Sequence, residues 1–253
     1  MPRLKLMTLN LRKCRTDKVF TEVLKEFSRW RKNKGLNILC AQEHNIPPID
    51  FEDKKIEAKA KGITLTIAGL PNGTLGTFIL SDDTTTKLTN IPTREPGVVR
   101  VEFDWGGESV SVASVYCPST PKERIEFLHD LPTKFTPDTF VGGDWDCVPD
   151  VTLDVKSANP LKYKNYGSSI LADGMKKLGL IDERREQLGN SKEYTFSEKV
   201  SLHPVLFTST RLDRWYTPSG GMHKDKLLTF STTKDFHHKP GGSDHSGVIL
   251  IVV

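Results

Sequence analysis

The 253-residue chain has no apolar run approaching the roughly 20 residues that a membrane-crossing helix needs. Its first residues, Met1-Pro2-Arg3-Leu4-Lys5-Leu6, alternate like a strand and contain no signal-peptide core. Cysteine is scarce: Cys14, Cys40, Cys117 and Cys147 are the only four, with no CxxC. That spacing suits neither a disulfide framework nor a zinc site and reads as reduced thiols of a cytosolic or nuclear protein. No internal repeat, low-complexity tract or biased linker divides the chain, so one domain over 1–253 is expected. Charge is mild: 36 Lys+Arg against 32 Asp+Glu, net +4. Such a balance allows a polyanionic partner without requiring one.

What is present is ordinary globular material, 36% apolar and 27% charged. Leu4, Leu6 and Leu11 flank a strand-like segment at Thr8-Leu9-Asn10. Asp17 can cap a helix carrying Val19, Phe20, Val23, Leu24, Phe27 and Trp30 at helical spacing, closed by Gly35. A short apolar run, Leu36 to Ala41, reads as a buried strand ending in Gln42-Glu43-His44-Asn45. The Pro- and charge-rich stretch 47–61 reads as surface. Strands follow at Ile63–Ala68 and Gly76–Leu80, with Asn72-Gly73 as a turn between them. Val98–Trp105 and Ser109–Tyr116 form a hairpin about Gly106-Gly107. Helices are predicted over Pro121–Leu131 and Gly167–Leu178, and strands over Thr139–Gly142, Tyr194–Ser197, Thr210–Thr217, Leu227–Ser231 and Val248–Val253. Strands outnumber the two or three helices. Two sheets packed face to face with helices outside fit this better than an alternating parallel sheet.

The chemistry gathers at strand ends. The last turn, Pro240-Gly241-Gly242-Ser243-Asp244-His245-Ser246-Gly247, delivers an Asp-His pair to the mouth of an apolar strand. A neighbouring carboxylate fixes an imidazole's tautomer and stabilises its charged form. Asn10, Glu43, Tyr116, Asp144, Asp146 and Asp213 also lie at or beside strand ends. Singly, each is as well explained as a cap, a turn residue or a solvated charge. Jointly they read as one carboxylate-rich site.

These residues and their order resemble the endonuclease/exonuclease/phosphatase superfamily. The resemblance is carried by Leu9-Asn10-Leu11, Cys40-Ala41-Gln42-Glu43-His44, Tyr116-Cys117-Pro118, Gly143-Asp144-Trp145-Asp146, Arg211-Leu212-Asp213-Arg214 and Ser243-Asp244-His245-Ser246. It spans residues 4 to 253. It implies an α/β (α+β) fold, a four-layered α/β/β/α sandwich of two mainly antiparallel sheets, and Mg²⁺-dependent cleavage of phosphate esters, with Mn²⁺ as an alternative ion. Within the superfamily the chain looks most like the apurinic-endonuclease-like endonuclease domain of LINE-type (non-LTR) retrotransposons. That likeness implies a nuclear enzyme, made in the cytoplasm, that nicks double-stranded DNA. The nick leaves a 3′-OH primer for target-primed reverse transcription by a reverse transcriptase domain on the same polyprotein, from which this domain would be excised.

The roles implied are these. Glu43 holds the metal with Asn10 beside it, and Asp244 is a further metal-side residue. Asp144 aligns or deprotonates the attacking water. His245, held by Asp244, donates to the phosphate oxygen. Tyr116 contacts the phosphate or leaving oxygen, and Asp213 is a carboxylate that supports the site from behind its ligands or lies on the metal side. Lys13, Thr195, Lys199, Arg211 and Arg214 are the candidate DNA contacts. Residues 197–210 form a protruding β-hairpin that reads groove shape, or a hairpin packed on its own sheet. Arg100 is placed on a solvated face.

One position departs from the family pattern. Asp146 stands where the family usually has Asn, and a carboxylate lacks the amide's N–H donor unless protonated. Two options stay open: Asp146 is native and recruits or shifts a metal, or it is a substitution that weakens catalysis. The competing functions are an apurinic/apyrimidinic repair endonuclease, a small-molecule phosphatase of the superfamily, and a catalytically impaired DNA-binding variant.

Overall fold

A computed structural model of the protein describes residues 3–14, 17–69, 76–82, 89–91, 97–156, 167–202, 205–219, 228–234 and 243–253. Strand β1 (Leu4–Cys14) leads into α1 (Asp17–Lys34) and β2 (Ile38–His44). A short 3₁₀ turn then enters α2 (Phe51–Lys59), followed by β3 (Ile63–Ala68), β4 (Gly76–Asp82) and β5 (Thr89–Ile91). The hairpin β6 (Val98–Trp105) and β7 (Glu108–Tyr116) precedes α3 (Pro121–Asp130) and β8 (Thr139–Asp144). Next come α4 (Val151–Asp154), β9 (Val155–Lys156), α5 (Ser168–Lys177), β10 (Leu180–Ile181) and α6 (Glu183–Leu188). The chain closes with β11 (Phe196–Leu202), β12 (Val205–Thr210), β13 (Asp213–Pro218), β14 (Leu228–Thr233) and β15 (Gly247–Val252).

Two six-stranded sheets result, ordered β14-β15-β1-β2-β4-β3 and β10-β13-β8-β7-β6-β5, with a small third sheet β11-β12-β9. All pairings are antiparallel except β1 with β2 and β7 with β8. Strand parity sorts the core into layers. On β1, Leu4 and Leu6 face the second sheet, where they meet Val101, Val112, Phe140 and Trp215. Met7, Leu9 and Leu11 face the other way, onto Phe20, Val23, Leu24, Phe27 and Trp30 of α1. On the second sheet Ala113, Val115 and Val141 pack under Leu128 of α3 and Leu171 and Met175 of α5. The architecture is therefore helix, sheet, sheet, helix, as the sequence implies.

Towards one end of the sandwich the space between the sheets turns polar. Thr8 Oγ1 donates to Gln42 Oε1 at 3.3 Å, Gln42 Nε2 donates to Ser114 Oγ at 2.9 Å, and Ser114 Oγ lies 2.6 Å from Thr77 Oγ1. Buried polar groups need such partners. This seam is the floor on which the site stands.

The stretch 47–61 lies at the surface as expected and also contains α2: only Lys54 and Ala58 of that helix are buried and Ile56 is exposed, so no apolar stripe announces it. Two sequence expectations change. The expected strand Thr210–Thr217 is two strands in different sheets, broken at Arg211-Leu212. Arg100 is not solvated: it donates to the Lys134 carbonyl at 3.1 Å and pairs with Glu102 at 2.8 Å. The Asn72-Gly73 turn lies outside the described residues.

Candidate active site

The two parallel pairs bring their carboxyl ends side by side. Asn10 sits opposite Gln42 across β1 and β2, and Tyr116 sits opposite Asp144 across β7 and β8. Asp144 also faces Asp213, the first residue of β13. Gly142 and Gly143 permit this close approach. A Cβ at Gly143 would lie 2.1 Å from the Val115 carbonyl oxygen, and one at Gly142 would meet the Trp215 ring at 2.7 Å. The strand ends rim a cleft of about 430 Å³ lined by Arg12, Glu43, Tyr116, Asp144, Asp146, Asp244 and His245 among others.

Asn10 is the hub. Its Nδ2 donates to Glu43 Oε1 at 3.0 Å and to Asp144 Oδ2 at 2.6 Å. Tyr116 Oη donates to the same Glu43 oxygen at 3.0 Å. Asp144 Oδ1 accepts from the Asp146 backbone N–H at 3.0 Å. On the opposite wall, His245 Nδ1 lies 2.8 Å from Asp213 Oδ2. Thr195 Oγ1 accepts from the Asp213 backbone N–H at 3.0 Å, and the Phe196 ring centroid lies 4.7 Å from that of His245. Among the described residues, three non-glycine residues have positive φ: Arg12 at 48°, Glu43 at 57° and Asp146 at 46°. All three line this cleft. Strain of this kind persists where surrounding contacts over-determine it, and it clusters at functional sites.

The carboxylates crowd one another. Burial, then the neighbouring Asp213, pushes Asp144 up to about 6, against the pull of His245 and the Asn10 amide. Burial and Asp144 push Asp146 up to about 8, while Arg124 pulls it down. Burial alone would lower the His245 imidazole, but Asp213 reverses that and raises it to about 10. Burial, with Glu43 and Asp144 nearby, holds the Tyr116 phenol protonated well above its ordinary range.

The donor set is hard oxygen: the carboxylates of Glu43, Asp144, Asp146 and Asp244 line one cleft, with the Asn10 amide beside them. Asp244 Oδ1 is buried with no hydrogen-bond partner. Ligand atoms of Asp144, Asp213 and His245 also lie within 4.8 Å of one another, but the last two are committed to each other. Such uncompensated oxygens fit a hard divalent cation.

Several residues sit differently from expectation. His245 is held by Asp213, not Asp244, whose nearer oxygen is 3.9 Å from Nε2 and whose Oδ2 instead pairs with Arg12 at 3.0 Å. Asp213 is accordingly the imidazole's partner, the supporting one of the two roles expected of it. Arg211 and Arg214 cannot touch DNA, since each is 1% exposed. Arg211 is bonded to Asp154 and Asp182, and Arg214 donates to the Cys147 carbonyl at 2.7 Å. Thr195 is 2% exposed and orders Asp213. The side chains of Lys13 and Lys199 lie outside the described residues. The β11–β12 hairpin is present as a paired ladder from Phe196↔Thr210 to Leu202↔Val205. Two residues were missed. Arg12 stands two positions after Asn10, so adjacency was its only signal. Arg124 of α3 reaches Asp146 at 3.0 Å from 22 positions away, which no local pattern encodes.

No family model matches the chain. A transposon TX1 protein of 149 kDa from Xenopus laevis is 24% identical over 232 residues, covering 89% of this chain. This chain spans 17% of that relative's length. An AP endonuclease from Archaeoglobus fulgidus superposes with a TM-score of 0.71 at 19% identity, covering 98% of both chains. The fold is that of the endonuclease/exonuclease/phosphatase superfamily. The endonuclease domain of TRAS1, a telomere-specific non-LTR retrotransposon, has a TM-score of 0.64 at 16% identity, covering 99% of this chain and 98% of that one. The 3′ phosphatase NExo from Neisseria, bound to product DNA hairpin, has a TM-score of 0.69 at 16% identity, covering 98% of each chain.

Proposed function

We propose that this chain is a divalent-metal-dependent DNA endonuclease, and that it nicks duplex DNA to leave a 3′-OH primer for reverse transcription. The observation carrying this is that the Asn10–Glu43–Asp144 network and the Asp213–His245 pair face one another across a single cleft. Glu43 with Asn10, and the unpartnered oxygen of Asp244, would hold Mg²⁺ or Mn²⁺. When bound, the ion would offset charge on the phosphate and leaving oxygens.

The chain's own groups divide the remaining work. Asp144, near pH 6, is suited to orient water and take its proton, because a base works best close to the ambient pH. His245 stays cationic through neutrality, with Nδ1 occupied by Asp213, so Nε2–H is the donor towards a non-bridging phosphate oxygen. Tyr116 remains a phenol and donates. Asp146 is paired with Arg124, itself fixed by the Pro118 and Ser119 carbonyls, which supports a native carboxylate over a damaged site. The TX1 and TRAS1 likenesses support a retrotransposon setting for this activity; a reverse transcriptase on the same polyprotein and a nuclear site of action are part of the proposal.

Supercoiled plasmid incubated with the protein and Mg²⁺ should become open circular with 3′-OH ends at the nick, and EDTA should abolish this. Absence of nicking, or 3′-phosphate ends, would overturn the proposal. Preferential cleavage of an abasic over an intact duplex would favour the repair endonuclease instead.

A further inference from the structure

We propose that Arg12 is the phosphate-gripping cation of this cleft: its guanidinium, resting on Asp244, swings onto a non-bridging oxygen of the DNA phosphodiester that enters. This rests on the nuclease reading above. Among the described residues lining the cleft only Arg12 and His245 can carry positive charge, while Glu43, Asp144, Asp146 and Asp244 are acidic. A phosphodiester entering so acidic a cleft meets, besides the divalent ion proposed above and the imidazolium, this one further positive group, Arg12. Arg12 pairs through Nη1 alone, at 3.0 Å from Asp244 Oδ2, and its side chain is 62% exposed. Its remaining guanidinium nitrogens have no hydrogen-bond partner among the described residues, leaving an open fork that matches phosphate geometry.

Stability does not account for the arrangement. An exposed pair contributes little, whereas a left-handed non-glycine residue is a strained one. The φ of 48° is held by the Asn10 side chain, whose Oδ1 accepts from the Arg12 N–H at 2.7 Å. Ser243 Oγ bonds to the Asn10 carbonyl and so ties this bulge to the Asp244 turn. The same Asn10 that organises Glu43 and Asp144 therefore aims Arg12 at the cleft mouth.

The test is equilibrium binding of a fluorescent duplex in EDTA between 50 and 200 mM salt. Wild type, Arg12→Ala, Arg12→Lys and the double variant Arg12→Ala/Asp244→Asn are compared, with wild-type plasmid nicking in Mg²⁺ run alongside. We expect Arg12→Ala to bind several-fold more weakly and its log–log salt slope to fall by about 1, the signature of one lost phosphate contact. Arg12→Lys should recover the slope, and the double variant should not. An unchanged slope in Arg12→Ala, or full recovery in the double variant, would mean that Arg12 merely masks Asp244, and would overturn the proposal. Wild type that neither binds nor nicks would instead bring down the nuclease reading itself.

Discussion

Replacing Asp213 with Asn tests the site's electrostatics most directly. The carboxylate is 1% exposed, and its Oδ2 lies 2.8 Å from His245 Nδ1. Asn preserves the shape and can still accept the Nδ1–H, but it removes the charge. His245 rises from 6.5 to about 10 in the fold. At about 1.4 kcal/mol per pH unit this sets an upper limit near 5 kcal/mol. Because Asn keeps the hydrogen bond and Asp144 and Asp244 still favour the imidazolium, we expect a loss of about 2–3 kcal/mol at pH 6, in line with charge-assisted hydrogen bonds. At about 2–4 °C per kcal/mol this is a Tm lower by about 4–12 °C.

The pH dependence carries the sign. A folded pKa raised above the unfolded one gives stability that is fully present below 6.5 and is lost as pH climbs through about 10. Wild type and Asp213→Asn should therefore differ most near pH 6 and converge towards pH 10 in thermal melts followed by circular dichroism. Taking the difference cancels tyrosine and lysine titration common to both proteins. A gap that stays constant from pH 6 to 10 would refute the pairing. In nicking assays the variant should also lose activity as pH rises above neutrality, because its imidazole sheds the proton earlier.

Asp146→Asn should leave nicking at neutral pH equal or lower without lowering stability at pH 7, because a carboxyl pushed up to about 8 on folding carries a cost there that the neutral amide does not; a tenfold gain in the plasmid assay would mark Asp146 as a damaging substitution. Arg211→Ala leaves the buried Asp154 with Arg185 alone and takes the guanidinium from Asp182, and should cost about 3 kcal/mol in urea unfolding; normal stability with weakened DNA binding would restore Arg211 as a surface contact. Glu43→Gln should reduce divalent-ion affinity at least about tenfold by calorimetry, on the scale of losing a hard oxygen ligand, and an unchanged isotherm would move the ion elsewhere. Gly143→Ala drives a Cβ to 2.1 Å from the Val115 carbonyl and should yield insoluble or low-melting protein; a wild-type melt would contradict the β7–β8 approach.

The layered fold was legible because strand parity and helix spacing are local. Leu4 and Leu6 against Met7 and Leu9 already separate two faces, and Phe20 to Trp30 write out an apolar stripe. Helix α2 was hidden because its inward face offers little more than Phe51 and Ala58. The strand-end residues were found by position, but their pairing was not. Asp244 adjoins His245 in sequence, yet in a tight turn neighbouring side chains diverge, and Asp213, 32 positions away, takes the imidazole. Arg211 and Arg214 looked like DNA contacts because Arg is usually solvent-facing. Their burial depends on Asp154, Asp182 and the Cys147 carbonyl, all set by tertiary structure.

One short segment links two parts of the molecule that sequence treats separately. Thr195 fixes Asp213 and its carbonyl takes the Ser246 N–H at 2.6 Å, while the next residue, Phe196, lies against His245 and opens the β11–β12 hairpin. The base of the hairpin thus touches both the imidazole and the carboxylate that holds it. Exchanging this hairpin for a relative's would replace the supports of Asp213 and His245 as well, unless Thr195 and Phe196 stay behind with the body.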